Sequence, residues 1–184
     1  MNIIFLDVDG CLNSVYTKDY LVVDGIKYIG LEDRLIQRLG WIVKKTGAKI
    51  VLTSDWGMEG PDSEHMIYLK SKLSTYGMEI YDTIDWNRFR REWRSDAIFT
   101  WLEDHPDIDK YIVIDDTYFW GYNDSFIAHH LFYCFDDVLR ENLPVRFLGI
   151  TSNMRKAIVD FFLKDKHLST WYIDPGLRKW YKNK

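Results

Sequence analysis

Two aspartates, one residue apart, close the stretch IIFLDVDG, and they follow four apolar residues directly. If Asp7 and Asp9 face one ligand, they make a nucleophile and a proton-transfer group. A carboxylate can attack phosphorus to form an aspartyl phosphate, and a second carboxyl can protonate the leaving oxygen and then activate water. Two further places offer matching chemistry. VLTS ends in the hydroxyls of Thr53 and Ser54, ahead of Asp55, and YIVIDD ends in Asp115 and Asp116. Each group comes after a short apolar run of the kind that forms a buried parallel strand. Carboxylates converging on one point repel unless a cation sits among them. A hard divalent ion such as Mg²⁺ accepts carboxylate oxygens, water and phosphate together. Taken singly, a DxD or an acidic pair is as readily a turn cap or a solvated loop. Three strand ends in order, each closing on polar groups, make a shared site the stronger reading.

For those ends to meet, the strands must be parallel neighbours, because ligands of open α/β sheets bind beyond the carboxyl ends of the strands. The apolar runs place strands at residues 3–6, 49–53, 111–114 and 145–149, with a short one at 78–83. Between them lie helical patterns. Leu31, Leu35, Leu39 and Ile42 recur at helical spacing and stop at Gly47; a helix over 61–76 stops at Gly77. Ser95 reads as the cap of a helix through Glu103, ended by Pro106, and residues 153–164 carry Met154, Ala157, Ile158, Phe161 and Phe162 on one stripe. Asp24-Gly25 between two β-rich runs predicts a hairpin over 20–29, since that pair tolerates the positive φ of a type I′ turn. Alternating strands and helices imply an α/β, Rossmann-like three-layer sandwich with a central parallel sheet and a hairpin after the first strand.

At 184 residues the chain suits one domain, and a chain of that size removes roughly 70% of its unfolded surface from water. Its net charge of −4 supplies no overall basic field for nucleic acid or an anionic membrane. There is no apolar run of about 18 residues to span a bilayer, and the N-terminus lacks the marks of a signal peptide. The two cysteines, Cys11 and Cys134, make no disulfide framework, so a cytoplasmic setting without a membrane partner is expected.

These residues resemble the haloacid dehalogenase (HAD) superfamily of phosphohydrolases. FLDVDG is similar to that family's first motif, VLTS to its second and VIDD to its fourth, and the hairpin at 20–29 stands where the family carries a β flap. The likeness runs over residues 2–164. Through LTSDW, the stretch from RSDAIF to VIDD, and GIT before the last helix, it looks closest to the small HAD domain of Swiss Army knife RNA repair proteins. The resemblance implies a single HAD-like domain over 1–168 with an aromatic and basic tail over 169–184. It implies a Mg²⁺-dependent phosphatase acting on a phosphorylated substrate. Asp7 would be nucleophile and metal ligand, and Asp9 general acid/base and metal ligand through its carbonyl. Ser54, or Thr53, would give the phosphate hydroxyl, and Asp116, or Asp115, would complete the metal site. Arg94, with Arg91 second, would take the place of the family's usual Lys, and Cys11 stands where Thr is usual. About 40 residues separate the first two motifs, and 56–93 holds at most a modest insertion. A small or absent cap would leave the site open to larger substrates such as a nucleic-acid end. A phosphotransferase, or a non-catalytic phosphate-binding module on the same scaffold, are the alternatives.

Other signals have plainer readings beside the functional one. WNRFRREWR, residues 86–94, interleaves arginines with aromatics and would suit base stacking, or is a solvated helix start. Tyr118, Phe119, Trp120 and Tyr122 either wall the substrate pocket or pack in the core. His129 and His130 are adjacent and do not face one metal from a regular element. Cys134, in FYCF, reads as a packed hydrophobe, Cys11 has no evident base beside it, and Asp136-Asp137 reads as a turn or helix start.

Overall fold

The structure is a computed structural model that describes residues 1–85, 94–117, 122, 126–134 and 149–164. Among the described residues five parallel strands form the central sheet: β1 (Asn2–Leu6), β4 (Lys49–Leu52), β5 (Ile80–Thr83), β6 (Lys110–Asp115) and β7 (Leu131–Tyr133). Their order is β5-β4-β1-β6-β7, so β1 lies at the centre. The chain runs from β1 outward to β4 and β5 on one side, then crosses to β6 and β7 on the other. The direction of winding therefore reverses at β1, which opens a crevice at its carboxyl end beside β6. Register places Leu6 opposite both Leu52 and Ile114, so Asp7, Thr53 and Asp115 leave the sheet at one level.

Both faces of β1 are covered, which is why its residues 3–6 are continuously apolar and fully buried. Ile4 and Leu6 pack with α1 (Asp33–Thr46), α2 (Glu64–Ser74) and α4 (Ser152–Lys164) through Ile36, Leu39, Leu69, Met154 and Ile158. Ile3 and Phe5 face α3 (Arg94–Asp104) through Ala97, Ile98 and Trp101. Phe5 meets the Trp101 ring edge-on at 5.3 Å. The result is the three-layer α/β sandwich read from the sequence.

The antiparallel hairpin β2 (Tyr20–Val23) and β3 (Ile26–Ile29) turns through Asp24 at φ 50° and Gly25 at φ 77°, as a type I′ turn requires. Helix α1 ends at Gly47 in the left-handed conformation. Helix α2 is shorter than the 61–76 expected, because Ser63 caps it by accepting from the Met66 amide. Ser95 lies inside α3 and is not its cap, since the helix already includes Arg94. The fifth sheet strand was not read as one. At three residues, β7 is too short to show a period, and its FY pair sits in an aromatic run. Most of the strand expected over 145–149 lies outside the described residues, as do Arg91, Tyr118, Phe119, Trp120, the Asp136-Asp137 pair and the 169–184 tail. Among the described residues no helix is long and apolar enough to cross a membrane.

Candidate active site at the carboxyl edge of the sheet

The edge is held by backbone bonds that continue the sheet past its last side-chain pairs. The Asp7 amide donates to the Ile114 carbonyl at 2.9 Å, the Thr53 amide to Leu6 at 2.9 Å, and the Cys134 amide to Asp115 at 2.8 Å. These bonds fix where three strands release their polar residues. Beyond Asp7 the chain folds back at once, with the Leu12 amide on the Val8 carbonyl at 2.8 Å. Gly10 makes that reversal possible. It stands at φ 68°, and a Cβ there would lie 2.1 Å from the Asp116 carboxylate.

Carboxylate oxygens of Asp7, Asp115 and Asp116 come within 4.8 Å of one another. Asp7 is 6% exposed and Asp115 fully buried, while Asp116 is half-buried. Burial first, and then the neighbouring Asp115 charge, push Asp7 up to about 7. Burial and the Asp7 charge push Asp116 up to about 6. Burial raises Asp115 too, against the pull of Arg94. Three oxygens so crowded, with burial raising each carboxyl, fit a hard divalent cation, whose charge would favour their ionised forms.

Arg94 opens α3 and reaches into this cluster. Its Nη1 lies 2.7 Å from Asp115 Oδ2 and 3.4 Å from Asp7 Oδ1, and its Nη2 lies 3.9 Å from the exposed Asp55. Burial works against its charge, but Asp115 and Asp7 hold it more basic than an ordinary arginine. Asp115 is fully engaged within the protein. Its Oδ1 accepts from the Thr117 amide at 2.9 Å, and its Oδ2 accepts from Arg94 and from the Tyr122 hydroxyl at 3.1 Å. Tyr122 is thus a buried support for Asp115.

The two hydroxyls of VLTS differ. Ser54 Oγ accepts from the Trp56 amide at 3.5 Å, capping the short 3-10 turn Asp55–Gly57, and the Ser54 hydroxyl works against the rise of Asp7. Thr53 Oγ1 is buried and has no hydrogen-bond partner among the described residues.

Asp9 stands apart from the three-carboxylate cluster. Its side chain is exposed, yet each oxygen accepts a bond: Oδ1 from Asn13 Nδ2 at 2.8 Å and Oδ2 from Trp56 Nε1 at 2.9 Å. Asn13 and Trp56 were both missed as site residues. Trp56 lies in the LTSDW stretch, and nothing in its spacing says that its indole returns to Asp9. Cys11 and Cys134 are free and buried behind the edge, and burial pushes both thiols up. His130 stacks on Tyr111 with centroids 4.2 Å apart and its Nδ1 lies 2.8 Å from the Tyr111 carbonyl, a packing role.

A parallel α/β sheet whose winding reverses beside β1, with acidic groups and one buried arginine at that point, defines a phosphohydrolase-type HAD domain. The family model for the HAD domain in Swiss Army Knife RNA repair proteins matches residues 3–138, and the chain belongs to this family. No curated protein matches the chain, and no solved structure does. Membership points to a phosphorylated substrate and to metal use, with the acidic cluster able to hold an ion.

Proposed function

We propose that the protein is a Mg²⁺-dependent phosphomonoesterase that works through an aspartyl phosphate on Asp7. The observation that carries this is the meeting of Asp7, Asp115 and Asp116 within 4.8 Å, with Arg94 Nη1 3.4 Å from Asp7. Asp7, Asp116 and the Asp9 carbonyl would hold the ion. Asp116 suits direct ligation better than Asp115, whose two oxygens are already taken by Thr117, Arg94 and Tyr122. A bound Mg²⁺ would supply charge neutralisation between the phosphoryl oxygens and the carboxylates.

Asp7 attacks phosphorus while Arg94 bears on the phosphoryl charge, and the guanidinium can grip two oxygens at once. Asp9 gives its proton to the ester oxygen as the P–O bond breaks. It then takes a proton from the water that attacks the Asp7 phosphate, which frees inorganic phosphate and restores Asp7. Ser54 already serves the Trp56 amide, whereas a buried hydroxyl without a partner costs about 1–3 kcal/mol. That contrast moves the phosphate-binding role toward Thr53.

The test is hydrolysis of 4-nitrophenyl phosphate with and without Mg²⁺, beside the Asp7→Asn variant. Turnover is expected only with the ion, and the variant should lose at least ~10³-fold, as covalent catalysts do when the nucleophile is removed. Full activity in Asp7→Asn would remove Asp7 from that role. A screen of nucleotides, sugar phosphates, phosphopeptides and phosphorylated oligonucleotides would then rank substrates.

A further inference from the structure

An exposed carboxylate ordinarily turns freely among rotamers, yet Asp9 is held at both oxygens by nitrogen donors from two different segments. The Asn13 amide that donates to Oδ1 is itself fixed, because Asn13 Oδ1 accepts from the Gly10 amide at 2.7 Å. The Trp56 indole that donates to Oδ2 is fixed more firmly. Its ring is 7% exposed, and it packs edge-on to His65 with centroids 5.1 Å apart and lies 6.2 Å from Tyr68. Both partners belong to α2, and His65 in turn meets Tyr28 of the hairpin at 4.9 Å. A carboxyl group offers about four lone-pair sites, so two N–H donors leave room for the proton that a general acid must carry.

We propose that Trp56 is a positioning residue: its indole N–H, opposite Asn13, sets the direction in which Asp9 presents its proton to the leaving oxygen. This rests on the role given to Asp9 above. As the P–O bond breaks, its electron pair passes to the ester oxygen, and the Asp9 O–H bond breaks as that oxygen takes the proton. An aryloxide leaves readily without the proton, whereas an alkoxide does not. A defect in aiming Asp9 therefore weighs on alkyl esters above aryl esters. A defect in packing alone weighs on both alike.

The experiment compares Trp56→Phe, which keeps a buried ring and loses the N–H, with wild type and Asp9→Asn. Substrates are cyclohexyl phosphate and 4-nitrophenyl phosphate under Mg²⁺. General acid catalysis contributes about 10²–10⁴-fold, and a misdirected acid should forfeit about tenfold of it in kcat/KM on the alkyl ester. The esters are compared throughout by kcat/KM, because that ratio stops at loss of the alcohol and leaves out the later water attack that Asp9 also serves. The loss on the aryl ester should be several times smaller. Equal losses on the two esters in Trp56→Phe, with Asp9→Asn selective for the alkyl ester, would overturn the positioning role and leave Asp9 in place. Equal losses in Asp9→Asn would instead overturn the acid role of Asp9 itself. A second readout is independent of turnover: the Trp56 indole ¹H–¹⁵N resonance, assigned through Trp56→Phe. It should shift in Asp9→Ala, and an unmoved resonance would overturn the contact.

Discussion

The chain builds two β structures of similar residues and treats them in opposite ways. In β1, the residues Ile3, Ile4, Phe5 and Leu6 are fully buried, and the strand delivers Asp7 into a setting that pushes it up to about 7. In the hairpin, Val22 is 57% exposed, Ile26 58% and Ile29 53%, and Asp24 merely turns the chain. A polar cluster anchors the base of the hairpin to α2. The Tyr68 hydroxyl accepts from the Leu31 amide at 3.0 Å and donates to Asp19 at 2.7 Å, and Lys72 meets the same Asp19 at 2.9 Å. Cover on two faces, not residue type, is what pushes one aspartate up and leaves another an ordinary turn residue.

Removing Arg94 attacks that difference most directly. Arg94→Ala leaves Asp7 and Asp115 without their buried counter-charge, and breaking such a pair costs about 3–5 kcal/mol. Urea unfolding of the metal-free protein should read that loss. A change below about 1 kcal/mol would mean that the edge is no more sensitive than ordinary surface.

The next effect is in pH. Asp7 and Asp116 bind protons more tightly folded than unfolded, with folded values near 7 and 6 against ordinary values of 3.8. Between those limits the folded state holds more protons, so stability falls as pH rises. The metal-free melting temperature should therefore drop from pH 5 to pH 8. Mg²⁺ should restore it more at pH 8 than at pH 5, because ligands must be ionised to bind. A flat apo profile through this window would show that neither carboxyl is strained.

The hairpin should answer weakly. Tyr68→Phe removes a donor and an acceptor at the anchor and should cost about 0.5–1.5 kcal/mol. It should be seen mainly as faster amide exchange over residues 20–29. Val22→Ser, on the open face, should stay within about 0.5 kcal/mol by urea unfolding. A larger loss at Val22 than at Tyr68 would mean that the hairpin's apolar face is covered as β1 is.

The sequence by itself determined the layers and the edge. Periodicity and turn chemistry act over a few residues, so continuous apolar runs marked β1, β4 and β6, Asp24-Gly25 marked the hairpin, and the polar groups closing each run marked the site. Strand β7 escaped because three residues carry no period, and Ser95 was misread because a cap-type residue can also sit inside a first turn. What only tertiary structure decided is which partners each polar group meets. Asp115 and Asp116 are neighbours in the chain, yet the arrival of Arg94 and Tyr122 engages one and leaves the other at the mouth of the site. Asp9 meets Trp56 across 47 residues of sequence, through a contact that depends on how α2 packs. Local pattern fixes which residues reach the edge. The long-range packing of side chains, which no local pattern encodes, decides which of them are buried, which are paired and which are held.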